Sequence, residues 1–183
     1  MRIHVTKKLA DKLKKTGFAI AGAPEDSPSI LGDWHANITT IQRRQCVVFT
    51  NDQTRFTIAH TGVTQKEIKA LTFWFKDMLA SAMLKLGYPA DLMERAVSSF
   101  SELSFDTQCS RSAQGTLRNM IRDLESFTWD GTQITDLAAY SISARLCERP
   151  CSIKDMKELD CLWPAKEMQK LLEQLPDPHE TLH

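Results

Sequence analysis

The sequence predicts an α+β fold in which a small antiparallel sheet packs against several helices. Three strand-like segments follow one another between residues 34 and 60, and the short polar turns between them favour antiparallel pairing in a three-strand meander. Most of the remaining chain consists of segments whose apolar residues recur every three or four positions, which is the period of an amphipathic helix. One or two short strands are expected to complete the sheet.

At the N-terminus, Ile3-His4-Val5 has the composition of a short strand. Thr6 is suited to cap a helix over about residues 7–15, and Gly17 would end that helix. The stretch from Ala21 to Leu31 contains glycine, prolines and serines, so it is predicted to be a loop.

The strands of the meander are predicted over about residues 34–41, 45–50 and 55–60. The middle strand contains the uninterrupted apolar run Cys46-Val47-Val48-Phe49, which is typical of a strand covered on both faces. We therefore expect this strand to lie in the interior of the sheet.

Helices dominate the second half of the chain. The capping-box pattern Thr64-Gln65-Lys66-Glu67 opens one long amphipathic helix that Gly87 ends, and another helix is predicted over about residues 90–100. A short strand at residues 103–107 would then join the sheet. The remaining predicted helices begin near Ser110 or Ser112, at Thr135 and at Pro164.

The length and composition of the chain are those of one soluble domain. Hydrophobic residues make up 42% of the 183 positions and charged residues 25%, which is ordinary for a globular protein. Because no linker interrupts the series of elements, residues 1–175 are expected to form a single domain. Residues 176–183 are expected to form a polar C-terminal tail.

The charges of the chain balance. Lys and Arg together number 23, as do Asp and Glu, so bulk electrostatics do not support nucleic acid as a partner, and only a local basic patch would leave that partner open. The sequence contains neither a signal-peptide core nor an apolar run of the roughly 20 residues that span a bilayer. We therefore expect a cytoplasmic protein with no membrane partner.

The five cysteines are an odd number in a chain without a secretory signal, which predicts free thiols. Cys147, Cys151 and Cys161 have a spacing that could ligate zinc, but Pro150 interrupts the helix that would align them. The favoured interpretation is that cysteines serve as small core residues. Gly-rich phosphate loops and the common hydrolase and Cys-x-x-Cys motifs are absent from the sequence, so neither a metal nor a cofactor is expected.

The segment around His35 has the highest density of candidate functional side chains. On a strand, His35 and Asn37 share one face, while Trp34 and Ala36 share the other. His35 is the best candidate for proton transfer or ligand contact, because imidazole titrates near neutral pH. The favoured alternative is structural: Trp34 anchors the sheet to a helix, and His35 and Asn37 satisfy backbone groups.

Arginines at two places suggest an anion site. Arg43 and Arg44 occupy a predicted hairpin turn, where guanidinium groups either bind carboxylate or phosphate or are simply solvated. Arg111 and Ser112 lie where a helix begins, and the amides of a helix start also favour an anion, although serines there are more often plain caps.

Several of these residues also carry a resemblance to known proteins. The patterns Trp34-His35-Ala36-Asn37, Arg43-Arg44, Phe49-x-Asn51-x-x-Thr54 and Arg111-Ser112-x-x-Gly115 resemble those of a family of uncharacterised bacterial proteins that share a domain of unknown function. The resemblance runs through most of the chain, which implies a single full-length domain. It implies no activity.

The leading hypothesis is a non-enzymatic binding or regulatory module that recognises a protein or an anionic ligand. The surface proposed for this role is formed by His35, Asn37, Arg43, Arg44, Arg111 and Ser112. The main alternative is an enzyme that acts on a phosphate-bearing or nucleic-acid substrate, with His35 as acid or base and the arginines holding charge. A third hypothesis is an interaction protein of phage or mobile elements, for which the sequence offers no distinguishing mark.

One observation separates the first two hypotheses. If His35, Asn37 and Arg111 converge in one concave pocket, an enzyme is favoured, whereas a flat exposed patch favours partner binding.

Overall fold

A computed structural model describes residues 1–22, 30–151 and 161–176, and its centre is a five-stranded mixed sheet with helices on both faces. The strands in chain order are β1 (Arg2–Val5), β2 (Trp34–Ile41), β3 (Arg44–Asn51), β4 (Thr57–Thr61) and β5 (Ser104–Asp106). They lie side by side in the order β4-β3-β2-β1-β5. The predicted α+β class, the antiparallel meander of β2, β3 and β4, and both short strands are confirmed.

The two short strands pair in parallel, so the sheet, which was predicted to be antiparallel, is mixed. Strand β1 lies between β2 and β5 and runs parallel to each of them. A helix and a further segment of chain separate β1 from β2, and such a crossover connection lets the second strand enter the sheet in the same direction as the first. The sheet is mostly antiparallel because β2, β3 and β4 form its larger part.

The helices flank this sheet. In chain order they are α1 (Lys7–Lys15), α2 (Gln65–Lys69), α3 (Leu71–Lys85), α4 (Ala90–Ser98), α5 (Arg111–Ser126), α6 (Ala139–Cys147) and α7 (Pro164–Glu173). Pro164 is the first residue of α7, as predicted, whereas the helix predicted from Thr135 consists of a 3-10 turn at Ile134–Asp136 followed by α6. Among the described residues, no helix is long and apolar enough to cross a bilayer.

The single long helix predicted after Thr64 is divided at Ala70 into α2 and α3. The predicted capping box is present, since the Thr64 and Glu67 side chains each accept a hydrogen bond from the other residue's backbone N–H. A side-chain hydrogen bond accompanies the break. The indole Nε1 of Trp74 donates a 2.8 Å hydrogen bond to the Glu67 carbonyl, which a continuous helix would use for the N–H four residues later.

The larger hydrophobic core lies on one face of the sheet, which we call the first face. Trp34 is fully buried there and packs edge-on against Phe75 of α3, with ring centroids 5.2 Å apart, and Phe49 contacts the same Phe75 ring. On the second face, α5 and α6 cover a smaller apolar cluster that includes Val48 and Leu117. Trp34 and Ala36 therefore belong to the first face, as the alternation along β2 predicts.

Two predicted segments lie mainly outside the described residues. The loop predicted at residues 21–31 includes residues 23–29, and the tail predicted at residues 176–183 includes residues 177–183.

Candidate functional site

A row of buried polar residues crosses the second face of the sheet. It takes one residue from each strand, and neighbouring members are paired in register: Asp106, His4, His35, Thr50 and Thr57. Side chains paired in register on one face of a sheet lie within contact distance. The row is therefore a series of neighbouring polar side chains, and His35 lies beneath the N-terminal end of α5.

His4 is held between two carboxylates. Its Nδ1 atom lies 2.7 Å from Oδ1 of Asp106, and its Nε2 atom lies 3.6 Å from Oδ2 of Asp33. Asp33 also pairs with Nη1 of Arg2 at 3.6 Å. The ring of His4 lies 4.7 Å from the ring of His35, so the two histidines belong to one cluster.

His35 is 1% exposed, and both of its ring nitrogens are occupied. The backbone N–H of Ser110 donates a 2.7 Å hydrogen bond to Nε2, so this nitrogen is an acceptor. The proton of the neutral ring is consequently on Nδ1, which donates to Oδ1 of Asp52 at 2.5 Å. His35 thus positions the start of α5, which is the structural role that the sequence favoured, and it has no nitrogen left for a ligand.

The turn between β3 and β4 is organised by the side chain of Asn51. Its Oδ1 atom accepts hydrogen bonds from the backbone N–H groups of Gln53 and Thr54 and from the Thr54 hydroxyl. Its Nδ2 atom donates to the Leu31 carbonyl at 2.7 Å. These contacts hold Arg55 in a left-handed backbone conformation, with φ of 60°, that residues other than glycine rarely adopt.

Arg55 is a candidate site residue that the sequence analysis did not single out. Its side chain is directed to the start of α5, where Nη2 donates a 3.0 Å hydrogen bond to Oγ of Ser112. The residue is only 5% exposed, and its Nε and Nη1 atoms have no hydrogen-bond acceptor among the described residues. Burial lowers the pKa of the guanidinium and the nearby Asp52 raises it, but an arginine remains a cation in either case.

Leaving buried donors of a charged group unpaired is costly, which makes Arg55 a candidate for contact with an anion. No local pattern in the sequence distinguishes it from Arg43 or Arg44. The signal that identifies it is its burial, which only the tertiary structure shows.

The first turn of α5 adds further donors beside Arg55. Ser110 caps the helix by accepting a hydrogen bond from the Ala113 N–H. The first backbone N–H groups of any α-helix lack intrahelical partners and carry the positive end of its dipole. The first turn of α5 contains no acidic residue to neutralise that end, and Arg111 adds a positive charge. Arg111 and Ser112 are both exposed.

A groove continues from this turn along α5. Its volume is about 380 Å³, and Pro150 and Cys151 form the wall opposite the helix. The helix residues that line it are Arg111, Ser112, Gly115, Thr116, Asn119, Met120 and Asp123. We call this cavity the α5 groove.

The structure brings only some of the predicted site residues together. His35, Arg111 and Ser112 meet at the start of α5, joined through Ser110. Asn37 accepts a 2.8 Å hydrogen bond from the Thr6 hydroxyl and lines a separate cavity of about 170 Å³. His35, Asn37 and Arg111 therefore do not converge in one pocket.

Arg43 and Arg44 lie at the opposite end of β2. Arg43 is eight positions from His35 along the chain, which corresponds to about 26 Å of extended strand. The hairpin is attached there by Gln42, whose side chain bonds the backbone of Thr132 and Ile134 beyond the C-terminal end of α5. The two arginines and Arg111 thus do not form a common surface.

A larger cavity of about 750 Å³ lies beside strand β5. Phe18, Ile20 and Phe105 supply much of its apolar lining, and Asp106 is one of its polar residues. The Asp106 carboxylate already accepts hydrogen bonds from His4 and from the Gln108 N–H. The Asp106 side chain in this cavity is therefore already engaged by protein groups.

The cysteines are free thiols, as predicted. Cys147 is fully buried, and its Sγ atom lies 3.1 Å from the backbone nitrogen of Thr57, which donates to it, and 3.2 Å from the Thr57 carbonyl oxygen, to which it donates. Burial raises the pKa of this thiol well above its usual range. Within the described ranges, no three His, Cys, Asp or Glu side chains form a group that could hold a metal ion.

Comparison with known protein families yields a match. The sequence model of a protein family described as Domain of unknown function (DUF6933) matches residues 2–167, which extend from β1 into α7. No curated protein and no solved structure matches the chain.

Proposed function

Because the chain belongs to the family described as Domain of unknown function (DUF6933), its function must be argued from the site itself, and we propose that it is a non-enzymatic module that binds an anionic ligand. The anionic group lies at the first turn of α5. Its donors are the guanidinium groups of Arg55 and Arg111, the Ser112 hydroxyl and the first N–H groups of the helix.

The unpaired donors of the buried Arg55 are the observation that carries this proposal. A guanidinium has five N–H donors, and Arg55 uses Nη2 toward Ser112 while Nε and Nη1 find no acceptor in the described part of the chain. Nε and Nη1 are buried, and hydrogen bonds to charged groups are roughly twice as strong as neutral ones, so an oxyanion that gains access to these atoms and pairs with them recovers part of the desolvation penalty. A cation would not do so, and an uncharged acceptor would recover less of the penalty than an oxyanion.

The rival hypothesis of an enzyme with His35 as acid or base has less support. His35 accepts from Ser110 and donates to Asp52, so it can exchange a proton with a substrate only by giving up one of these bonds. General acid–base catalysis requires the catalytic group within hydrogen-bond reach of the substrate. Both ring nitrogens of His35 are instead engaged by Asp52 and Ser110.

We further propose that the module works in the cytoplasm of a bacterium. The free thiols suit a reducing compartment, and the motif resemblance is to bacterial proteins.

Titration with inorganic phosphate, followed by calorimetry at several salt concentrations, tests the proposed function. We expect binding that weakens as salt rises, because exposed charges are screened. Arg55→Gln and Arg111→Ala should each weaken the binding at least tenfold. The matched control is the double variant Arg43→Ala and Arg44→Ala, which removes two exposed positive charges at the far end of β2.

Circular dichroism and thermal unfolding establish that each variant is folded before its binding is compared. The proposal fails if the folded wild-type protein binds no phosphate, or if Arg55→Gln binds as well as wild type. Loss of binding only in the Arg43 and Arg44 double variant would assign the anion contact to the hairpin and would also contradict it.

A further inference from the structure

The α5 groove adds information about the size of the ligand. We propose that the site takes a phosphorylated small molecule whose phosphate lies at the first turn of α5 and whose organic part lies in the groove over Gly115. This inference rests on the proposed function, because the phosphate is the anion that Arg55 and Arg111 hold.

The presence of glycine at position 115 favours an organic ligand in the groove. It lies inside a 16-residue helix, where glycine costs about 1 kcal/mol relative to alanine. Its backbone does not have the positive φ that requires glycine. No heavy atom of the described residues lies within 4 Å of the place where a Cβ would stand, so packing does not require glycine either.

What Gly115 does provide is space and access to the helix backbone at the centre of the groove. It lies one turn beyond Arg111, so a body attached to a phosphate at the first turn passes directly over it. A side chain at this position would point into that path.

The order of polar and neutral groups along the groove also favours an organic ligand there. Asn119 lies one turn beyond Gly115, about 6 Å along the helix axis, and its amide can both donate and accept hydrogen bonds. Asp123 closes this end and is already paired with Nη1 of Arg149 at 3.0 Å. The groove thus has donors for an anion at one end and an amide suited to hydroxyl or amide groups farther along.

The opposite wall is uncharged near Cys151. Burial raises the pKa of the Cys151 thiol to about 11, although Arg55 acts in the other direction, so the sulfur is protonated at neutral pH. A neutral thiol beside Pro150 is a wall suited to the carbon skeleton of a ligand, and it does not compete with the phosphate for Arg55.

The number of donors favours phosphate over carboxylate. A carboxylate presents two oxygens, whereas a phosphate monoester presents three terminal oxygens and carries a charge near −2 at neutral pH. The unpaired donors of Arg55, the Arg111 side chain and the N–H groups of the helix start exceed what two oxygens accept with good geometry.

The test compares inorganic phosphate with a panel of phosphorylated small molecules: ribose 5-phosphate, adenosine 5′-monophosphate and O-phosphoserine. We expect at least one of them to bind the wild-type protein tenfold or more tightly than phosphate does. In Gly115→Leu this gain should vanish, while the affinity for phosphate itself stays within about twofold. Leucine is a good helix former, so this substitution fills the groove without weakening α5.

Glu125→Leu is the control, because it places a leucine on the exposed surface of the same helix outside the groove. It should bind the panel as wild type does. If phosphate binds but no panel member binds more tightly, or if Gly115→Leu keeps the gain, the groove inference is wrong while the proposed function stands. If phosphate and all panel members fail to bind, both proposals are wrong.

Discussion

The backbone N–H of Ser110 donates a hydrogen bond of 2.7 Å to Nε2 of His35, 75 positions earlier in the chain. This bond ties the cap of α5 to the first residues of β2. Because the other ring nitrogen, Nδ1, donates a hydrogen bond to Asp52, the ring is fixed in one tautomer and one orientation. The position of the proposed anion site therefore depends on a histidine that does not itself touch the ligand.

Substitution of His35 by alanine is expected to lower the free energy of unfolding by about 2–4 kcal/mol. The change leaves the Ser110 N–H without its acceptor and opens a cavity under α5, and each effect destabilises a folded protein. Urea denaturation measures the difference. Arg43→Ala, at an exposed turn, should change the free energy by less than about 0.5 kcal/mol. Equal midpoints for His35→Ala and wild type would contradict the assigned role.

Trp34→Ala is expected to destabilise the fold by roughly 3–5 kcal/mol, because the indole is fully buried and packs against Phe75. Trp129 provides a matched control, since its side chain is 75% exposed and its replacement by alanine should have little effect. Chemical denaturation of both variants gives the comparison. A loss of stability in Trp129→Ala as large as that in Trp34→Ala would show that burial is not the cause.

The sequence predicted those parts of the fold that depend on local chemistry. The capping box at Thr64 and the proline start of α7 are signals contained within a few residues. No local signal predicts the parallel pairing of β1, because this pairing depends on where the chain re-enters the sheet. The break at Ala70 accompanies a hydrogen bond from Trp74 to the Glu67 carbonyl, which a periodic pattern does not reveal.

The site was predictable to the same limited degree. His35 and the start of α5 stand out in the sequence, but their connection spans 75 positions. Arg55 contacts Ser112 across 57 positions, and its burial depends on the turn that Asn51 organises. Conversely, the sequence suggests an anion site at Arg43 and Arg44. In the structure, the length of β2 separates these two arginines from the first turn of α5.

The reactivity of the cysteines should follow their burial. Cys161 is exposed and is expected to react first with a maleimide in the folded protein, whereas Cys46 and Cys147 are buried, and burial raises the pKa of both thiols. Mass spectrometry after timed labelling measures the order. In urea without a reductant all five should react, and a missing equivalent would reveal a disulfide and overturn the assignment of free thiols.

His60 should make the stability of the protein sensitive to mild acid. Its ring lies 4.7 Å from Trp74, and its buried Nδ1 atom has no hydrogen-bond partner in the described part of the chain. Burial lowers the pKa of His60, and Glu67, 3.7 Å from its Nε2 atom, opposes this effect only in part. The unfolded chain therefore binds this proton more readily than the folded protein does. Above about pH 6.5 the ring is neutral in the folded and the unfolded protein and does not lower the free energy of unfolding. As the pH falls below that value, the free energy of unfolding decreases.

Urea denaturation at pH 7, 6 and 5 measures this loss, which for one group is at most about 1.4 kcal/mol per pH unit. His60→Gln cannot take up the proton, so its free energy of unfolding should fall less steeply with acid than that of wild type. Glu67→Gln keeps the capping box but removes the negative charge beside the ring, so its decline should be steeper than that of wild type. Parallel pH curves for wild type and both variants would mean that His60 is not the group that titrates.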